Sequence, residues 1–290
     1  MAGGCQDLLA AGFAAQFTGR WSFAAPRKRG GEPHCQKILP HPNGLESAGG
    51  GAYRADLHRP RRKARMNTGE KIRAFYDVLL AAYGPQGWWP ADTPFEVAVG
   101  AILAQNTNWK NVERAIANLK REGLLEAAAL ARTDAQRLAE VIRPAGYYRV
   151  KAKRLKNFIR LLEKQFGGSP DALFSLGTAA LRETILGVTG IGPETADSIV
   201  LYAAHRPVFV VDAYTARVLY RHGVAEAEAT YEDLQELMQG ALAEDVALYQ
   251  EYHALLVAVG KRQCKKSAPA CRGCPLQESL EEGQPAREEW

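Results

Sequence analysis

No stretch of the 290 residues comes near the ~20 consecutive apolar residues that a membrane-spanning helix needs. The first residues also lack the charged start, apolar middle and small-residue cleavage site of a secretory signal, so neither membrane insertion nor secretion is expected. Cysteine is scarce, with five residues in all. Cys5 and Cys35 lie far in sequence from Cys264, Cys271 and Cys274, and a disulfide framework is disfavoured for an intracellular chain. Strand-like patterning is missing apart from Val208–Val211. A charge imbalance that would by itself announce a nucleic-acid partner is missing too. The net charge is +5, but residues 1–65 hold 11 Lys/Arg against 4 Asp/Glu, which leaves 26 against 28 for the rest.

What is present is a real core, with 47% hydrophobic residues, arranged with helical spacing nearly throughout. Residues 1–65, rich in Gly, Pro and Arg and without period, read as a disordered basic extension. An alternative is that translation starts at Met66. Helical patterns follow over Ile72–Tyr83, Pro94–Leu103 (with Thr93 as N-cap), Asn111–Arg121, Leu124–Ala131 and Asp134–Ile142. A basic helix runs from Gly146 through Phe166, and two later helices cover Tyr231–Leu242 and Val246–Val259. The expected fold is all-α.

The chain is organised around Leu181–Gly223. Leu181, Ile185 and Leu186 form an apolar helical face that ends at Gly187. Val188-Thr189-Gly190-Ile191-Gly192 is too short and glycine-rich for helix, and Pro193 suits the first turn of the next one. Unpaired backbone N–H groups around such a hairpin make an anion site, and glycine lets a phosphate come close. A tight turn between two packed helices explains the same residues. Asp212 ends the apolar run Val208–Val211 and begins the helix Ala213–His222. It reads as an N-cap, a position that also holds a carboxylate rigid and ionised.

Other candidate residues cluster in loops and at helix ends. Trp88 and Trp89 lie side by side in a loop, either packed on the body or forming the flat wall of a base pocket. Gln105-Asn106-Thr107 follows a buried helix, with capping by Asn106 or Thr107 as the plain alternative. Arg143–Leu162 carries seven basic residues and no acid, among them Lys151 and Lys153, and is read as a solvated face or a phosphate-facing stripe.

The run Leu186–Ala196 followed by Val211-Asp212 resembles the helix-hairpin-helix DNA glycosylases of the endonuclease III superfamily, over roughly residues 66–275. The resemblance implies two helical lobes with a DNA-binding cleft between them. Residues 66–93 and 206–277 would form one lobe, 94–205 the other, and 278–290 an acidic tail. It implies that Val188, Gly190, Ile191 and Gly192 hold the DNA backbone, that Asp212 is the catalytic carboxylate, and that Gln105 enters the gap left by a flipped nucleotide. Gly146-Tyr147-Tyr148 with Lys151-Ala152 also matches the family, which adds Tyr147 to the intercalation candidates.

Family members that also cut the strand carry a catalytic lysine where this chain has Glu194, so a monofunctional glycosylase is expected. Trp88-Trp89-Pro90, Gln105-Asn106-Thr107 and Trp109 are most similar to the 3-methyladenine DNA glycosylase III branch, which implies an alkylated purine as substrate. The alternatives are a bifunctional glycosylase/lyase acting on oxidised pyrimidines and a damage-binding protein without catalysis. Many members hold a [4Fe–4S] cluster through four cysteines. Here Cys264, Cys271 and Cys274 are followed by Leu280 at the fourth position, which reads as a degenerate cluster motif with no cofactor required. The expected partner is double-stranded DNA with a damaged base, bound by a monomer in the cytoplasm, at the nucleoid.

Overall fold

The computed structural model describes residues 66–280; the extension 1–65, with Cys5 and Cys35, and residues 281–290 lie outside them. The described residues are helical, with no strand among them. The helices are α1 (Thr68–Tyr83), α2 (Pro94–Ala104), α3 (Trp109–Arg121), α4 (Ala127–Arg132), α5 (Ala135–Val141), α6 (Tyr148–Phe166), α7 (Pro170–Phe174), α8 (Thr178–Leu186), α9 (Pro193–Ser198), α10 (Ala213–Arg221), α11 (Tyr231–Ala241) and α12 (Val246–Arg262).

Local chemistry sets the helix starts. Asn67 and Glu70 close a reciprocal capping box on α1, as Thr230 and Asp233 do on α11. Each box satisfies N–H groups that the first turn leaves open. Thr93, Asn108, Asp134, Ser169 and Asp245 each accept a backbone N–H at the start of a helix. Gln105 is the C-cap position of α2 and Asn108 the N-cap of α3, so neither Asn106 nor Thr107 takes a capping role. The helix expected over Leu124–Ala131 is the shorter α4, and α7 is a short helix not expected from the sequence.

The helices pack in two groups. α2 lies against α3, α6 and α9, with α4 and α5 on α6; α1 lies against α11 and α12, with α10 on α12. α9 does not end cleanly but continues as a π-helical turn, Ile199–Ala203, in which the Ala204 N–H reaches back to the Ile199 carbonyl at 3.1 Å. That turn touches α2, α8 and α12, so it is the hinge of contact between the groups. Asp197, fully buried, is the polar anchor there. It pairs with Arg182 of α8 at 2.6 Å and accepts from Tyr231 and Gln235 of α11 at 2.8 and 2.7 Å. Val208–Val211 is not a strand. It is a buried extended connector, with Phe209, Val210 and Val211 at 0% exposure, and it delivers Asp212 to the interior.

Candidate active site

The hairpin stands where the sequence placed it. Val188 and Ile191 are buried and root the turn, and the Ile191 N–H closes on the Val188 carbonyl at 3.0 Å. Thr189 and Gly190 are exposed at the tip. Gly190 has φ +97°, a conformation that costs an L side chain strain. A Cβ there would also lie 2.7 Å from Arg154 Cγ. Gly192 has no such conflict and serves as the N-cap position of α9.

Gln105 is tied to this hairpin. Its Nε2 donates to the Gly190 carbonyl at 3.1 Å and to Thr195 Oγ1 at 2.9 Å, and its Oε1 accepts from Arg154 at 2.5 Å. Asn157, also on α6, donates to the Thr189 carbonyl at 2.9 Å. The end of α2, the basic helix α6 and the hairpin are thus one hydrogen-bonded unit.

Asp212 is 1% exposed. Its Oδ1 accepts the Thr215 N–H at 2.7 Å, the N-cap of α10. Its Oδ2 makes no hydrogen bond and faces His253 Nε2 at 3.6 Å. Burial pushes the Asp212 carboxyl up, but His253 and then Thr215 outweigh it, and the group stays below its ordinary value, ionised. Glu194 takes the opposite direction. Burial, followed by the charge of Asp212, raises it to about 8. Two neighbouring carboxyls are thereby driven apart, one charged and one neutral at pH 7.

The tryptophans converge. Trp88 and Trp89 of the α1–α2 loop meet Trp109 of α3 at 4.6 and 5.0 Å between ring centroids, and Trp89 meets Tyr202 of the π turn at 5.3 Å. Trp88 and Trp89 stay half-buried, so the cluster has an open side. Trp109 donates to Glu113 at 2.8 Å, and the loop is pinned by the Gln86 N–H on Glu251 of α12 at 2.6 Å. Tyr147 is apart from this group. It is 66% exposed in a left-handed conformation at the start of α6, and among the described residues it shares no ring contact with the tryptophans.

One candidate is corrected. Lys151 is not a surface phosphate contact: it is 1% exposed, and its Nζ donates to the Leu103 and Ala145 carbonyls at 2.8 and 2.7 Å. Burial, then the charge of Arg154, lowers it to about 7. It closes the C-terminal end of α2. Lys156 likewise turns to the carbonyls of Leu130, Ala131 and Thr133, whereas Lys153 and Arg149 are exposed. The residues that sequence reasoning missed are Tyr202 and His253; Arg154, one of the basic stripe, turns to Gln105.

The cysteine motif does not fit a four-thiolate cluster. Leu280, at the fourth position, is an apolar side chain 8% exposed. Cys264 is buried, and Cys271 and Cys274 are partly so. Burial raises the Cys274 thiol to about 11. Among the described residues no group of three or more Cys, His, Asp or Glu is placed to hold a metal ion. The backbone of the cysteine loop is held by arginine: Arg217 donates to the Cys264 carbonyl at 2.6 Å, and Arg221 to those of Lys265 and Lys266 at 2.5 and 2.9 Å.

Comparison with known proteins identifies the family. Residues 99–244 match the HhH-GPD superfamily base excision DNA repair protein family. A "putative DNA repair glycosylase" of Methanocaldococcus jannaschii is 49% identical over 73% of this chain and 96% of its own length. An endonuclease III of Thermotoga maritima is 30% identical over 65% of this chain and 83% of its own. Among solved structures, the Helicobacter pylori 3-methyladenine DNA glycosylase MagIII bound to 1,N6-ethenoadenine matches with a TM-score of 0.59 and 29% identity, covering 68% of this chain and 98% of that one. An endonuclease III–DNA covalent intermediate shares the fold, with a TM-score of 0.65 over 75% of this chain and 98% of that one, at 21% identity. With its all-helical two-lobe fold, its glycine hairpin and its buried aspartate, this chain belongs to the helix-hairpin-helix DNA glycosylases of the HhH-GPD superfamily, the DNA N-glycosylases of base excision repair that include endonuclease III.

Proposed function

We propose that this enzyme is a monofunctional glycosylase that flips a damaged base, preferably an alkylated purine such as 3-methyladenine, out of double-stranded DNA and removes it by hydrolysis. The observation that carries the reading is Glu194. It occupies the position at which strand-cutting relatives have a lysine, and a carboxyl cannot form a Schiff base with the sugar. The base must leave the stack to be reached. Breaking the N-glycosidic bond then builds positive charge on the sugar, which Asp212, ionised and fixed by Thr215, would stabilise while orienting water. Gly190 and its neighbours would hold phosphate without reading sequence, Gln105 would fill the gap, and Tyr147, exposed on the basic side, would wedge into the duplex.

The aromatic cluster supports the choice of substrate class. Trp88 and Trp89, half-buried and backed by the buried Trp109, offer aromatic faces, and such faces attract a cationic base such as an alkylated purine. The MagIII neighbour, a 3-methyladenine glycosylase by name, supports this choice. No cluster is needed in this reading, since Leu280 offers no ligand. A second reading, a bifunctional enzyme on oxidised pyrimidines, is favoured by the relatives named endonuclease III. The deciding experiment compares release of free bases from methylated DNA with release from oxidised-pyrimidine and mismatch duplexes. Preferential release of 3-methyladenine supports the proposal, and preferential release of oxidised pyrimidines overturns it.

A further inference from the structure

We infer that His253 is a positioning residue for the Asp212 carboxylate, held in its own orientation by the Tyr202 hydroxyl. The inference rests on the reading of Asp212 as the catalytic carboxylate. His253 lies on α12, Tyr202 on the π turn and Asp212 at the head of α10, so three elements bring the trio together.

The two oxygens of Asp212 differ in their partners. Oδ1 is bound by the Thr215 N–H. Oδ2 is buried without a hydrogen bond, and so is His253 Nε2, its facing partner at 3.6 Å. A buried carboxylate oxygen is costly unless a donor faces it. His253 supplies one only if Nε2 carries a proton, and Tyr202 decides that. The Tyr202 hydroxyl lies 2.7 Å from His253 Nδ1 and 3.2 Å from the Gln250 carbonyl. It has one hydrogen for the two acceptors.

When that hydrogen goes to Nδ1, the single proton of a neutral imidazole sits on Nε2 and points at Asp212. When the ring takes a second proton, Nδ1–H donates to the Tyr202 oxygen, and the hydroxyl hydrogen turns to the Gln250 carbonyl. An N–H faces Asp212 in both states. The only arrangement that turns a lone pair toward the carboxylate is the other neutral tautomer, and Asp212 disfavours it by repulsion. The same tyrosine ring lies against Trp89, so the dyad also joins the aromatic wall to the carboxylate.

The titratable and charged groups facing Asp212 are Glu194 on α9, Tyr202 on the π turn, Tyr214 and Arg217 on α10, and His253 and Lys261 on α12. Burial works to raise the Asp212 carboxyl, and among the groups that hold it down His253 contributes most. Removing His253 leaves the burial and takes away its largest counterweight. The pH at which Asp212 becomes protonated, and therefore inactive, then moves up.

The test is the pH–rate profile of single-turnover base release from methylated duplex DNA, alongside binding to a duplex carrying an uncleavable abasic analogue. It compares the wild type with His253→Phe, His253→Gln, Tyr202→Phe and Asp212→Asn. His253→Phe should slow release at pH 7 by about tenfold or more with duplex binding kept within about threefold. Its acidic limb should move up by about one to three pH units. His253→Gln, which retains an N–H donor, should recover part of the rate, and Tyr202→Phe should shift the limb in the same direction by less. If His253→Phe does not fold, the last two variants carry the test. Wild-type acidic limbs in the folded His253 and Tyr202 variants, with Asp212→Asn inactive, overturn the positioning role alone. Wild-type release by Asp212→Asn instead removes the catalytic reading on which it rests.

Discussion

Gln105 and Gly190 are joined by a 3.1 Å hydrogen bond from the side-chain amide to the hairpin carbonyl. The tip of the hairpin is therefore not free to choose its shape. It is fixed by the end of α2 and by Arg154, whose Cγ fills the space where a Gly190 side chain would begin.

Two hairpin substitutions should separate fold from function. Gly190→Val meets both a positive φ and Arg154, so it should cost about 1–2 kcal/mol of stability from the backbone alone and weaken binding to every duplex. Gly192 has φ −101° and open space within 4 Å of where a Cβ would stand, so Val there should lose only the N-cap preference for Gly, about 1 kcal/mol. Gly192→Val should still bind damaged and undamaged duplex more weakly, because the side chain obstructs phosphate approach. Fluorescence anisotropy with matched duplexes, paired with thermal melts, measures both. Weakened binding to damaged DNA alone would contradict a backbone-phosphate role.

Glu194 should write a pH dependence into stability. Its folded value, about 8, lies above that of the unfolded chain, so the folded state binds the proton more tightly. The resulting stabilisation is full below the unfolded carboxylate range and is lost as pH rises through about 8. Glu194→Gln cannot ionise. It should match the wild type near pH 4 and exceed it at pH 9 by about 1 kcal/mol or more. Urea denaturation at the two pH values decides it, and equal differences at both would refute the shift.

The aromatic wall predicts selective losses. Trp88→Ala, at the half-buried edge of the cluster, should reduce excision by about 1–3 kcal/mol of stacking, more for a cationic alkylated purine than for a neutral lesion. Trp89→Ala should also lower Tm, because Trp89 packs against Gly100 and Tyr202. Melting curves and excision rates for both lesion types distinguish a pocket from a plain core. Equal rate losses for the two lesions would mean that the rings only pack.

The thiols should be quiet. A Cys274 thiol raised to about 11 by burial is protonated at neutral pH and is a poor nucleophile, and Leu280 offers no fourth thiolate for a cluster. Aerobically purified protein should lack the broad visible absorption of an iron–sulfur centre. Stoichiometric iron and sulfide that survive mild chelation would show that three cysteines suffice.

Much of the site is readable from local pattern. Asp212 is recognisable because an apolar run, a capping carboxylate and a helix follow one another in sequence, and the hairpin is recognisable because its glycines are consecutive features. Lys151 reads as part of a basic stripe if charge alone is counted, although its spacing holds the answer. It stands in helical register with Leu155, Phe158 and Leu162, all at 0% exposure, and so on the buried face. Tyr202 and His253 leave no such trace. They are 51 residues apart, and only the packing of the π turn on α12 brings them together. The five-residue α7 is too short for any period to emerge.

The central claim is that base removal here proceeds without an enzyme amine. Attack by a lysine passes through an imine, which borohydride reduces to a permanent protein–DNA crosslink. The direct measurement is borohydride trapping during turnover on methylated duplex DNA, with the product strand analysed before and after alkali. The expected result is released base, no crosslinked species, and a strand that breaks only on alkaline treatment. A trapped protein–DNA complex, with the strand broken before alkali, would contradict it.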